Sequence, residues 1–127
     1  MFHTITPQLQ ARIEALERRD QQDRQDGTPR MERLRQIPPE TGKFLAVMAA
    51  AAPAGAITEI GTSAGYSTLW LSLAAKLRNQ KVITFELLEA KIVLAKETFH
   101  LAEVDPWIDL REGDALENLE DVDRIAF

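Results

Sequence analysis

AITEIGTSAGYST, residues 56–68, joins a short β-favouring run to the start of a helix. The run ends abruptly in Gly61, which permits a tight turn and lets a ligand approach bare backbone. Gly65 allows the next helix to begin close to the strand. Hydroxyl side chains surround the first turn of that helix, where free backbone N–H groups favour a carboxylate or a phosphate. The stretch therefore predicts a strand–loop–helix unit with an anion-binding loop.

The segments that follow this stretch alternate between helix and strand patterns. Apolar residues recur at helical spacing after Tyr66 and after Leu88, and β-favouring runs precede Glu86 and Glu112. A succession of this kind is typical of an α/β protein with a parallel sheet and right-handed crossovers. The predicted strands are residues 56–60, 81–85, 107–111 and 122–127, and the predicted helices after the first strand are residues 66–78, 88–104 and 115–120.

Two further helices are predicted before the sheet. Residues 7–26 carry only a narrow apolar stripe on a charged helix, which we interpret as a solvated helix lying on the domain or against a second subunit. Residues 43–52 are almost entirely small or apolar and predict a buried helix. The stripe of the first helix consists of Leu9, Ile13 and Leu16.

Acidic residues follow the second and third predicted strands. Ligands of open α/β sheets bind beyond the carboxyl ends of the strands. Glu86 lies about 20 residues after the last glycine of the loop, at the offset of an acid that accepts hydrogen bonds from both ribose hydroxyls. Asp114 is expected on the same rim, within reach of an adenine amino group, and Leu87 and Leu88 could cover a flat base. These residues together predict a nucleoside pocket beside an anion-binding helix end.

The glycine spacing of the loop distinguishes between nucleoside cofactors. A dinucleotide fold uses G-x-G-x-x-G, in which the middle glycine makes room for a pyrophosphate. Ser63 occupies that middle position, and the Gly-Lys-Ser/Thr of a P-loop is absent. A ligand with a carboxylate and no phosphate fits better, and S-adenosylmethionine is such a ligand. An NAD-dependent oxidoreductase is therefore a disfavoured alternative.

Composition excludes several other classes of protein. None of the 127 residues is cysteine, so disulfides, thiolate catalysis and Cys-based metal sites are excluded. Residues 85–127 hold four basic against twelve acidic side chains, so nucleic acid is not expected as a partner. The longest apolar run, residues 44–53, is too short to span a bilayer, and residues 1–4 do not resemble a signal peptide. We therefore expect a soluble, cytoplasmic protein with no membrane partner.

Residues 59–68, EIGTSAGYST, resemble the first motif of S-adenosylmethionine-dependent O-methyltransferases of the catechol and caffeoyl-CoA type. The Gly-Tyr-Ser triplet is fairly specific for this branch, and the similarity extends from about Arg30 to the end of the chain. The resemblance implies a Rossmann-like methyltransferase fold with strand order 3-2-1-4. It also implies a helical extension with a lid over residues 1–38 and an incomplete cofactor-binding α/β domain over residues 39–127. The expected reaction is methyl transfer to a hydroxyl, phenolic by preference, of a small-molecule acceptor, in a homodimer.

The resemblance also implies cofactor contacts for individual residues. The backbone of Gly61 and Thr62 would pass beneath the cofactor, Glu59 would lie near its amino group, and Ser67 would hold its carboxylate. Residues 31–42 resemble a lid over the methionine part. By the same resemblance, Glu86 would bind the ribose, and Asp114 with Ala115 would border the adenine. The cofactor-binding residues expected are Glu59, Gly61, Thr62, Ser63, Gly65, Tyr66, Ser67, Glu86, Leu87, Asp114 and Ala115.

The resemblance stops short of the catalytic machinery. Residues 122–127 resemble the lead-in to the family's first metal-binding acid, which would follow them. A divalent metal such as Mg²⁺ would therefore find no ligands in this chain, and the catalytic residues are unknown. His3 and His100 are the only histidines, and His100 is expected at or near the surface. We expect a truncated enzyme, and a non-catalytic cofactor-binding or assembly module remains the alternative.

Overall fold

Three parallel strands form the centre of the structure. A computed structural model describes residues 5–127, so the expectations that concern residues 1–4, including His3, lie outside the described residues. The sheet has the order β1-β2-β3, which is the 3-2-1 part of the predicted order and agrees with the predicted α/β class. The elements are β1 (Ile57–Ile60), β2 (Val82–Glu86) and β3 (Ile108–Glu112), with helices α1 (Pro7–Asp23), α2 (Pro39–Ala51), α3 (Tyr66–Leu77), α4 (Glu89–Leu101) and the short α5 (Ala115–Asn118).

The pairing of the strands brings their carboxyl ends level with one another. Ile60 of β1 pairs with Phe85 of β2, and Glu86 of β2 pairs with Glu112 of β3. Because all three strands run in the same direction, the loops that follow them emerge at one edge of the sheet.

The prediction of a fourth strand over residues 122–127 is wrong. The end of the chain lies beside β1, where the order 3-2-1-4 places a fourth strand, but it forms only one parallel bridge, between Ala56 and Ile125. A 3₁₀ turn over Leu119–Asp121 occupies the residues just before it. Residues 124–127 make four backbone hydrogen bonds with Ala56 and Thr58, but these amount to one isolated bridge, so the sheet has three strands instead of four.

Successive residues of β2 point to opposite faces of the sheet. Val82 and Thr84, both fully buried, lie on the face that α2 and α3 cover. Ile83 and Phe85 lie on the other face, which α5 and the residues after it cover. The same alternation places Glu86 on the α3 side, at the point where the loop after β1 enters that helix.

Helix α1 packs on the domain with the predicted stripe. Leu9, Ile13 and Leu16 are each at most 3% exposed and belong to the largest apolar cluster, together with residues of α3 and α4. Thr6 caps the helix, because its Oγ1 accepts a hydrogen bond from the backbone N–H of Leu9 (3.2 Å). The prediction of a helix lying on the domain is confirmed, although α1 ends at Asp23 and not at residue 26.

Helix α2 is not the buried helix that its composition predicts. Only its small residues are buried, and Gly42 packs so closely on the indole of Trp70 that no larger side chain fits there. A helix that is apolar on all sides but covered on one side leaves its other face exposed. No helix within residues 5–127 has the length and apolar character to cross a membrane. The large apolar side chains exposed on α2 are Phe44, Val47 and Met48.

Candidate functional site

Hydrogen bonds join the loops that follow the three strands. The backbone N–H of Gly61 donates to the carbonyl of Phe85 (2.8 Å), and that of Gly113 donates to the carbonyl of Glu86 (2.9 Å). The backbone N–H of Ser63 donates to the carboxylate of Glu86 (2.8 Å). The structure therefore brings the three predicted strand-end loops together at one rim.

The two glycines of the first loop are required for different reasons. Both have φ of +90°, in the left-handed region that favours glycine. A side chain on Gly65 would overlap the ring of Phe99, whereas one on Gly61 would meet no atom within 4 Å. Ser63 also has a positive φ, of +52°. The loop therefore packs tightly on α4 at Gly65 and leaves open space over Gly61.

Glu86 is the acceptor that fixes the ends of two loops. Its Oε1 accepts hydrogen bonds from the backbone N–H groups of Leu87 (3.1 Å) and Leu88 (3.0 Å), and its Oε2 accepts the one from Ser63. An ionised carboxylate has about four acceptor positions. One position therefore remains for a ligand hydroxyl, and a second ribose hydroxyl could be accepted only if one backbone bond were released.

Glu59, at the carboxyl end of β1, accepts hydrogen bonds from three hydroxyl groups. Ser67 donates to Oε2 (2.6 Å), while Thr68 (2.5 Å) and Thr84 (2.8 Å) donate to Oε1. Burial raises the pKa of Glu59, and the nearby charge of Glu86 adds to that rise. The three hydroxyl donors oppose the rise, because they stabilise the ionised carboxylate.

Thr62 is joined to the same network through Thr84. The two hydroxyl oxygens lie 2.5 Å apart, so one of them donates to the other. The hydrogen of Thr84 is already given to Glu59, so Thr62 is the donor of this pair. The order of donation is therefore Thr62 to Thr84 to Glu59.

A cavity of about 150 Å³ lies between the loop and residues 34–37, which we call the cover segment. Thr62, Ser63 and Ser67 are among the residues on the loop side. The cover segment falls within residues 31–42, the expected lid. Pockets that enclose a whole ligand of drug size measure about 300–1,000 Å³. The cavity therefore suits one end of a nucleoside ligand, not the whole of it.

Two carboxylates of α1 hold the cover segment in place. Asp23 accepts a hydrogen bond from the backbone N–H of Leu34 (3.3 Å), and Asp20 accepts one from that of Gln36 (3.1 Å). On the other side, Lys91 of α4 donates to the carbonyl of Arg33 (3.3 Å). The position of the cover segment is thus set by α1 and α4.

Tyr66 attaches the loop itself to α1. Its ring is buried, and its hydroxyl donates to Glu17 (2.6 Å). Burial, with the hydrogen bond to this carboxylate as a second cause, raises the pKa of Tyr66. The hydroxyl is therefore engaged with α1, although Tyr66 also lines the cavity.

The remaining predicted residues have their side chains in other roles. Leu87 and Leu88 are 65% and 51% exposed, beyond the carboxylate of Glu86. Asp114 caps α5, because Oδ1 accepts the backbone N–H two residues further on (2.9 Å). The side chain of Ala115 packs in the cluster beneath the sheet, so only its backbone could border a base.

The sequence matches a family model over nearly its whole length. The model of the O-methyltransferase family matches residues 12–125, which contain α2 to α5, all three strands and most of α1.

The chain belongs to the O-methyltransferase family.

Individual O-methyltransferases are similar to the chain in sequence. A catechol O-methyltransferase of Niastella koreensis is 34% identical over 83 residues, which are 65% of this chain and 37% of that protein. The catechol O-methyltransferase of Mycobacterium tuberculosis is 34% identical over 80 residues, or 63% of this chain and 36% of that protein.

Solved O-methyltransferase structures have the same fold. TomG from Streptomyces achromogenes, an O-methyltransferase involved in tomaymycin synthesis, was solved in complex with S-adenosylmethionine. Its structure matches this chain with a TM-score of 0.67 and 30% sequence identity, and the match covers 87% of this chain and 48% of TomG. An O-methyltransferase from Bacillus cereus, solved in complex with S-adenosylhomocysteine, matches with a TM-score of 0.67 and 26% sequence identity. That match covers 87% of this chain and 47% of the Bacillus enzyme. The predicted Rossmann-like methyltransferase fold is confirmed. The chain spans less than half the length of these relatives.

A metal site of the O-methyltransferase kind is not formed by the described residues. Within residues 5–127, no three His, Asp or Glu side chains come together in a way that could hold a metal ion. The side chain of His100 is 84% exposed, as expected, with its nearest carboxylate, Asp105, at 3.7 Å. The described residues therefore do not fit a divalent metal.

Some residues of the candidate site were missed by the sequence analysis. Thr84 lies within a strand and carries no motif, so its contact with Glu59 depends on the register of β1 and β2. Asp20 and Asp23 could have been identified from the sequence, since they continue the helical spacing of the apolar stripe of α1 beyond Leu16. Acids on the buried face of a helix need partners, and here the partners are backbone N–H groups of the cover segment.

Proposed function

We propose that this chain binds S-adenosylmethionine and forms the cofactor-binding part of an enzyme that methylates a hydroxyl group of a small molecule, phenolic by preference. The observation that carries the proposal is the meeting of the three strand-end loops around the carboxylate of Glu86, beside the cavity. Family membership and the cofactor complexes of the Streptomyces and Bacillus enzymes support the choice of cofactor.

The proposed orientation places the amino-acid end of the cofactor in the cavity and the nucleoside along the rim. Glu86, with its one free acceptor position, would accept a ribose hydroxyl, and the backbone of Asp114 and Ala115 would border the adenine. The open space over Gly61 is suited to a ligand that crosses the loop at close range. The full set of proposed contacts is the one inferred from the sequence: Glu59, Gly61, Thr62, Ser63, Gly65, Tyr66, Ser67, Glu86, Leu87, Asp114 and Ala115.

The residues of this chain would bind and orient the cofactor rather than perform proton transfer. When bound, S-adenosylmethionine would supply an electrophilic methyl group on its sulfonium, with S-adenosylhomocysteine as the leaving group. The loop and the cover segment would hold the amino-acid end in place and exclude water from it. Fixing the methyl donor in one orientation is itself a large part of catalysis, since it replaces a diffusional encounter.

Three finer statements also belong to this proposal. We propose that residues 1–38 act as the helical extension and lid of a cofactor domain at residues 39–127, which agrees with the contacts of the cover segment. We propose a homodimer, for which the exposed apolar side chains of α2 are suitable. We propose a cytoplasmic location, because S-adenosylmethionine is a cofactor of intracellular metabolism.

Titration calorimetry of the chain with S-adenosylmethionine, S-adenosylhomocysteine and NAD tests the central proposal. We expect heat of binding with both sulfur-containing nucleosides and none with NAD. Binding of NAD alone would support an oxidoreductase and refute the proposal. Binding of the two nucleosides with no methyl transfer to a panel of catechols would instead favour a non-catalytic module.

A further inference from the structure

A second cavity lies between helices α1, α2 and α3. Its volume is about 380 Å³, within the range of about 300–1,000 Å³ that small-molecule sites have. None of the residues that line it also lines the cavity beside the loop. Most of its lining side chains are apolar, and those at most 7% exposed are Ile13, Ala46, Trp70 and Leu73. The second cavity can therefore hold the apolar part of a small ligand.

Three polar side chains also line the second cavity, and two of them carry opposite charges. Gln10 donates a hydrogen bond to its neighbour on α1, Glu14 (2.7 Å). Glu17 accepts the hydrogen bond of Tyr66 with Oε1. Neither Glu17 nor Lys43 takes part in an ion pair of residues 5–127. One anion and one cation of the second cavity are thus left without a partner of opposite charge.

These two charges restrict the kind of ligand that the second cavity suits. A carboxylate is the group that the ammonium of Lys43 would bind, and an ammonium group is the one that the carboxylate of Glu17 would bind. A ligand with only one of these groups would cover the other protein charge without pairing it, which costs free energy. A zwitterion with an apolar side chain satisfies both charges and fills the apolar part.

We infer that the second cavity binds a free α-amino acid with a large apolar side chain. Lys43 of α2 binds its carboxylate, Glu17 of α1 binds its ammonium group, and its side chain packs on Trp70 and Leu73 of α3. The inference goes beyond the proposed function, because the second cavity is formed without any residue that lines the cavity beside the loop.

Three probes separate the contributions of the two charges. L-Phenylalanine has both charged groups, 3-phenylpropionate keeps only the carboxylate, and 2-phenylethylamine keeps only the amine. Trp70 and Trp107 are the two tryptophans of the chain, so the emission of Trp107→Phe reports on Trp70 alone. We expect L-phenylalanine to change this emission saturably, and each single-charge probe to bind about tenfold more weakly. No saturable change, or equal binding of the three probes, would overturn the inference.

Variants of the two charged residues test each contact separately. Lys43→Gln should weaken binding of L-phenylalanine and 3-phenylpropionate by about tenfold and leave 2-phenylethylamine unchanged. Glu17→Gln should weaken L-phenylalanine and 2-phenylethylamine and spare 3-phenylpropionate, while its amide oxygen can still accept the hydrogen bond of Tyr66. Lys81→Gln is the matched control, since Lys81 is exposed and does not line the second cavity. We expect it to change binding of none of the probes.

The same loss for all three probes in Lys43→Gln or Glu17→Gln would overturn the assigned contacts. Urea unfolding of each variant shows whether a loss of affinity reflects the second cavity or a loss of folded protein. Binding of S-adenosylhomocysteine is measured separately by calorimetry. If that nucleoside binds and L-phenylalanine does not, only this inference fails; if L-phenylalanine alone binds, only the proposed function fails.

Discussion

Replacing Glu86 by alanine should damage both stability and cofactor binding, by amounts that follow from its hydrogen bonds. The variant removes the acceptor of three backbone N–H groups, of Ser63, Leu87 and Leu88. Each hydrogen bond makes a net contribution of about 1 kcal/mol, so we expect the free energy of unfolding to fall by about 2–4 kcal/mol. The one free acceptor position is lost as well. We expect this loss to weaken binding of S-adenosylhomocysteine by about 1–3 kcal/mol, or roughly 5- to 150-fold.

Glu112 provides the matched control for this prediction. It pairs with Glu86 in the register of β2 and β3, but its carboxylate contacts only Lys96 (2.5 Å) among the ion pairs of the described residues. Both side chains of that pair are more than half exposed, so Glu112→Ala should cost less than about 1 kcal/mol. Urea unfolding and titration calorimetry measure the two effects. Equal stability losses for the two variants, or unchanged affinity in Glu86→Ala, would refute the assigned role of Glu86.

Further predictions concern the loop and its supports. In urea unfolding, Gly65→Ala should destabilise the protein more than Gly61→Ala. Both variants place an alanine at positive φ, which costs about 1–2 kcal/mol, but only the side chain at position 65 also meets an aromatic ring. Equal losses of stability would contradict the packing described. The raised pKa of Glu59 means that the folded state holds its proton more tightly than the unfolded chain, whose pKa lies near 4.5. The stability that comes from this pKa difference is fully present below pH 4.5 and is lost as the pH rises through the folded-state pKa. The melting temperature of the wild type should therefore fall relative to that of Glu59→Gln over this pH interval. A difference in melting temperature that does not change with pH would be evidence against the raised pKa. Tyr66→Phe should lose about 1 kcal/mol of stability, because it removes the hydrogen bond to Glu17 but keeps the ring; no loss by thermal melting would show that this bond contributes nothing.

The sheet and its loops could be predicted because their signals are local. The run ending in Gly61 and the helical spacing after Tyr66 each reflect residues close together in the chain, and the parallel order follows from their alternation. The acid at Glu86 could be placed for the same reason, since it directly follows a strand. Its hydrogen bond from the backbone of Ser63 could not be foreseen, because that bond depends on how two loops approach each other.

The errors arise where a segment depends on neighbours that its own pattern does not specify. The helix at α2 is apolar on every side, so its composition gives no indication that Phe44 would be exposed. The predicted fourth strand has a β-favouring composition, but composition does not specify how its residues pair with a neighbouring segment, and only Ile125 forms a bridge. Thr84 was missed because its partner, Glu59, is distant in sequence and near only in the paired sheet.

The contacts of α1 have a consequence for any change in its length. Glu17 holds the loop, while Asp20 and Asp23 hold the segment opposite it, and these three positions follow one another at three-residue intervals along a single helix. One added residue between Leu16 and Glu17 would turn this row by about 100° around the helix axis. Both walls of the cavity would then lose their anchors at once, although no residue that faces the ligand had been altered.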